Sequence, residues 1–181
     1  MSGAMEERVS TPDYAPPAWL VAELRAIHAG EAGAVMLCHG ILAVAGDAAL
    51  IDGARRQCRA ADEHREMLES MLPRGARSRL LPLCGGAAWL AGALPALAGA
   101  GAILATRRAT ARVVAARYHL QIERLRGEGR LSVLGATLEH CREETLACAG
   151  AANRPANAAA RGWARLVGAG TAAAMRLARR G

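Results

Sequence analysis

At 181 residues the chain has the size of one domain with one core. Ala, Leu, Gly and Arg dominate, Phe is absent and 52% of residues are apolar, which favours helices and leaves strands short of the residues they prefer. The net charge of +7 rests on Arg alone, and without a basic run or an aromatic-studded basic patch it does not point to nucleic acid.

Residues 1–17 read as a disordered leader, with Glu6, Glu7 and Asp13 ahead of Pro16 and Pro17. They lack the apolar stretch of a secretory signal. Residues 18–181 are expected to form a single all-α domain. A first helix is predicted from about Ala18 to Val44, with Leu20, Leu24, Ile27, Glu31, Ala34, Cys38 and Leu42 on one face. That is an apolar stripe interrupted by one carboxylate. Asp47 is placed to cap the next helix, whose inner face carries Ala54, Cys58, Ala61, His64, Leu68 and Met71 and which ends before Pro73.

From Leu80 to Thr106 no residue is charged. That length qualifies as a membrane-span candidate. Pro82, Pro95 and the glycines between them argue instead for a hairpin, a re-entrant segment or tight Ala/Gly packing inside a soluble bundle. A third helix over roughly 101–126 presents Ala111, Val114, Tyr118, Ile122 and Leu125. The fourth carries Leu131, Leu134, Leu138, Cys141, Thr145, Cys148 and Ala152, and Pro155 stops it. A last helix, about 156–180, sets Trp163, Leu166, Val167, Met175 and Leu177 against Arg161, Arg165, Arg176, Arg179 and Arg180. Such a basic amphipathic helix can lie on a membrane or pack on the bundle. Leu, Val, Met and the three Trp are expected to supply most of the buried area. Five cysteines with no CxxC pair argue against a disulfide framework or a thiolate zinc site and fit a reducing cytoplasm.

Four long helices with polar residues on their inner stripes suggest a carboxylate-bridged di-metal bundle, in which two helices give one Glu each and two give Glu-x-x-His pairs. Leu24 to Val35 (LRAIHAGEAGAV) resembles the first-helix signature of demethoxyubiquinone hydroxylases. His64 to Gly99 resembles their second helix and the apolar segment after it. Arg117 to Leu125 is similar to the later half of the third helix, and Cys141 to Gly150 falls where the family has its second Glu-x-x-His. The resemblance implies a ferritin-like four-helix bundle with an apolar membrane-associated segment and a C-terminal amphipathic helix. It also implies peripheral attachment to the inner membrane from the cytoplasmic side and a pocket for a polyprenyl quinone.

Carried over residue by residue, the resemblance leaves only Glu31 and His64 as metal ligands. The other positions read Ala61, Ala111 (Arg112 with a shift of one), Thr145 and Cys148. One carboxylate and one imidazole do not balance two oxygen-activating irons, so no cofactor is expected; iron enters only if ligands come from elsewhere. Glu31 and His64 then read as relics bonded to each other. The alternative is a mononuclear zinc or iron site adding Cys148 and either Glu63 or Glu144. Glu139, His140, Glu143 and Glu144 read as a solvated face. Tyr118 is placed to stabilise Glu31, to line a pocket or simply to pack in the core, and His28 to bond behind Glu31 or to sit on the helix surface.

Three functions follow: a non-catalytic relative binding quinone or membrane lipid, alone or with other quinone-biosynthesis proteins; a hydroxylase with a remodelled metal site; or a membrane-associated helical protein outside quinone chemistry.

Overall fold

The computed structural model describes residues 17–73, 76, 81–127, 132–150 and 157–180, with residues 81–83 and 132 as backbone only. The leader, Leu131 and Ala152 lie outside them, apart from Pro17. The described residues form six helices: α1 Ala18–Val44, α2 Ala48–Met71, α3 Leu81–Leu97, α4 Ala100–Gly127, α5 Ser132–Gly150 and α6 Ala158–Arg180. Among the described residues there is no strand.

Helix ends follow local chemistry. Pro17, in an extended conformation, precedes α1. Asp47 accepts from the Leu50 N–H at 2.9 Å and caps α2, and Asn157 accepts from the Ala160 N–H at 2.8 Å and caps α6. The uncharged run does not form one long helix. It divides at Gly99, whose φ of 95° few side chains tolerate, into α3 and the first turns of α4. At 17 residues α3 is about 25 Å long, short of a bilayer's hydrocarbon core.

The ferritin-like bundle is the ring α1–α2–α5–α4, with α3 carried in the connection between α2 and α4. α6 packs against α1 and α4. α3 lies on α1 at a crossing where both helices present glycine: a Cβ on Gly40 would sit 2.0 Å from the Trp89 carbonyl oxygen, and one on Gly92 would sit 1.9 Å from that of Leu37. α1 is the one described helix long and apolar enough to cross a membrane, and half of its most apolar stretch is buried inside the bundle.

One core cluster gathers Leu20, Leu24, Ile27, Leu68, Tyr118, Ile122, Leu125, Leu138 and Met175; a second gathers Leu37, Ile41, Ala54, Ile103 and Val167. The tryptophans are only half-buried, contrary to expectation. Their size keeps them at the margin, where Arg124 stacks on Trp19 at 3.8 Å. Leu166 and Leu177 also depart from the expected inner face of the last helix: they are 64% and 51% exposed. α6 is anchored by Val167, Met175 and an ionic link from the exposed Arg179 to a buried carboxylate. Glu23 of α1 accepts from Gln121 Nε2 at 3.0 Å and Arg117 Nη1 at 3.3 Å on α4, and forms an ion pair with Arg179 Nε at 2.5 Å on α6.

Candidate functional site

Four helices send polar side chains to the middle of the bundle. Glu31 of α1, 1% exposed, accepts the Tyr118 hydroxyl of α4 on Oε1 at 2.8 Å. The same oxygen lies 3.2 Å from Nδ1 of His64 on α2. The other ring nitrogen, Nε2, is 3.0 Å from Oε2 of the half-buried Glu144 on α5. His64 meets Tyr118 edge to face at 6.4 Å between ring centres. His28 is buried one turn before Glu31.

With a carboxylate at each nitrogen, the imidazole donates twice, as only its protonated form can. Burial opposes that charge, but the neighbouring Cys141 and Glu31 outweigh it and His64 is pushed up to about 11. Burial, with the Glu31 charge, also holds the Tyr118 phenol well above its ordinary value, so it stays a donor.

A pH dependence follows. The unfolded chain releases the His64 proton near pH 6.5 while the folded chain keeps it to about 11. The stabilisation is whole below 6.5 and declines as the pH rises. We expect the melting temperature to fall from pH 6.5 to about 8, below the ordinary thiol value of 9.0. The slope should be shallower in His64→Gln; parallel slopes would show that another group titrates.

Beside this chain of bonds lies a cavity of about 10 Å³, room for about one water. Glu31, Ala61, Ala111, Thr145 and Cys148 line it, so the structure brings five of the six family positions together. It also places Ala111 at the centre and leaves Arg112 exposed. Thr145 turns its hydroxyl back to the Cys141 carbonyl at 2.7 Å. Burial pushes the Cys38 thiol up to about 12 and raises Cys58 and Cys148, so none is a ready thiolate. The five cysteines are all free.

Arg107 of α4 adjoins the cavity. Buried itself, it donates from Nε to Gln57 Oε1 at 2.5 Å and from Nη2 to the carbonyls of Gly53 (2.9 Å) and Cys148 (2.8 Å). Burial pulls it below the usual guanidinium value. Gln57 and Cys148 line the cavity, so a fixed positive charge stands next to the place where a metal pair would sit.

This donor set does not fit a di-iron centre. Among the described residues Glu31 is the one carboxylate lining the cavity, both His64 nitrogens are engaged by carboxylates on opposite sides of the ring, and Arg107 repels a dication. Among the described residues no group of three or more His, Cys, Asp or Glu is placed to hold a metal ion. Glu63 is exposed. Glu144 is the correction to the solvated-face reading: its length lets it leave the α5 surface and reach His64. Sequence reasoning missed Arg107 and Gln57, although Arg107 lies four residues before Ala111 on the inner stripe.

On the far side of α1 an apolar groove of about 410 Å³ runs between α1, α3 and α6, with Thr110 of α4 also in its wall. Gly30, Gly33 and Leu37 contribute from α1, and the exposed Leu90, Leu94 and Leu166 form part of its lining.

No curated protein matches the chain. A family model described as Ubiquinone biosynthesis protein COQ7 matches residues 18–178. The six-helix architecture and the family positions gathered at one cavity agree with that match over nearly the whole chain, which therefore belongs to the COQ7 family of ubiquinone biosynthesis proteins.

Proposed function

We propose that this chain is a non-catalytic member of its family, a membrane-associated scaffold that binds a polyprenyl quinone or related lipid and serves quinone biosynthesis as a binding subunit. The observation that carries this reading is a contrast within the bundle. The centre is closed to about 10 Å³ with one carboxylate in its wall, while the groove keeps about 410 Å³. Small neutral residues at four ligand positions remove the charge that a bare di-metal site must bury, a stable solution for a helical core. Leu90, Leu94, Leu97 and Leu166 are exposed on α3 and α6, and Arg161, Arg165, Arg176 and Arg180 are exposed on α6. Leucines beside arginines suit an anionic bilayer surface. Cytoplasmic residence at the inner membrane is part of this proposal.

A second reading, a mononuclear metal site built on Glu31, His64 and Glu144, is favoured by the reach of Glu144 to His64. Metal analysis separates the two. Protein incubated anaerobically with ferrous iron and cleared of excess is expected to hold none above background. Its lipid extract is expected to contain a polyprenyl quinone, and it should sediment with anionic vesicles. About two irons per chain would overturn the non-catalytic reading and restore an oxygen-activating centre. About one would establish the mononuclear site. Failure to sediment with vesicles would remove the membrane contact.

A further inference from the structure

α2 carries its surface charges in an order that does not serve the helix. Its outer stripe reads Asp52, Arg56, Arg59, Glu63, Glu66 and Ser70, at helical spacing and all exposed. Arg55 widens the basic half. Arginines thus occupy the N-terminal half and glutamates the C-terminal half, opposite to what the helix macrodipole favours. Arg56 and Arg59 are like charges one turn apart, as are Glu63 and Glu66, and such neighbours also weaken a helix.

Local pairing does not account for the pattern. Arg65 binds Asp62 and Glu69, and Arg55 approaches Asp52 at 3.7 Å. Among the described residues Arg56, Arg59 and Glu63 make no ion pair, and Glu66 has only a 3.7 Å approach from Arg65.

The stripe is self-complementary under a two-fold rotation. Laid antiparallel on a second copy at the level of Ala61, α2 sets Arg59 across from Glu63, Arg56 across from Glu66 and Asp52 across from Ser70. Parallel pairing in register would set like charge on like. The helix bears four Arg against five Asp or Glu, so the chain's positive excess lies elsewhere. α2 packs on α1 and α5, and no described α2 residue lines the groove. A partner on its outer face therefore leaves the groove free.

We propose that the outer face of α2 is the contact between two copies of this chain, an antiparallel, isologous pairing in which Arg59 meets Glu63 and Arg56 meets Glu66, each twice. It does not depend on what the groove or the centre binds. Exposed ion pairs are individually weak, so the dimer is reversible and sensitive to salt, and the charges fix its register.

Sedimentation equilibrium of the full chain in a density-matched mild detergent tests this. The wild type should dimerise in about 0.1 M salt, and its dissociation constant should rise about tenfold or more in about 0.5 M. Arg59→Glu and Glu63→Arg should each be monomeric where the wild type is a dimer, with unchanged melting temperature because both positions are exposed. An equimolar mixture of the two variants should recover a dimer, since each supplies the charge that the other lacks. So should the chain carrying both changes.

A wild type that stays monomeric in about 0.1 M salt, up to concentrations of about 0.1 mM, would overturn the proposal. A dimer indifferent to salt and to both variants would also overturn it and move the contact to the exposed leucines of α3 and α6. Monomeric variants that fail to recover on mixing would overturn the antiparallel register.

Discussion

Gly92→Ala is expected to destabilise the protein by about 3 kcal/mol or more and to loosen α3 from α1. The added methyl would meet the Leu37 carbonyl oxygen at 1.9 Å, and its counterpart on Gly40 would meet the Trp89 carbonyl oxygen at 2.0 Å. In both cases the obstacle is helix backbone, which cannot rotate away as a side-chain tip does. Relief therefore requires the two helices to separate, and α3 is one wall of the groove. Gly162→Ala is the control, since nothing stands within 4 Å of its added atom. On the exposed α6 surface it should stabilise by about 0.5–1 kcal/mol. Urea unfolding of the three proteins checks this; equal midpoints for Gly92→Ala and Gly162→Ala would show that the crossing is not close-packed.

Arg107→Ala is expected to cost about 3–5 kcal/mol. The guanidinium satisfies Gln57, Gly53 and Cys148 on two other helices, and its removal leaves those acceptors buried beside a void. Arg107→Met should cost distinctly less, because it refills the volume and takes a charge out of the interior. Denaturant midpoints for the pair give the comparison. A cost below about 1 kcal/mol for the alanine variant would mean that water serves those acceptors as well as the arginine does.

Much of this architecture is legible in the chain. The stripes of the first two helices and Asp47 between them place α1 and α2, because a 3.6-residue period and a side-chain cap are local signals. The family positions at Glu31, His64, Ala61, Ala111, Thr145 and Cys148 were legible through resemblance, and five of them meet at one cavity. Other features were not. The uncharged run has no polar face to set a phase, so the break at Gly99 could not be located. Glu139, His140, Glu143 and Glu144 look alike along one helix; only the position of α2 decides that Glu144 meets His64. Arg107 hides in the sequence because charge on an inner stripe reads as an interruption, whereas here backbone carbonyls from neighbouring helices receive it.

The Glu23 link gives α6 a character of its own. That helix buries few side chains, and near its end it is held by one guanidinium on a carboxylate that α4 also engages. Such an element belongs to the low-stability end of a fold, where segments detach and return without global unfolding. On the proposed lipid reading, α6 is the wall of the groove whose opening would let a hydrophobic guest exchange while the four-helix ring stays intact. The exposed Arg179 makes its contact with Glu23 one that salt can screen, beside the apolar anchors Val167 and Met175.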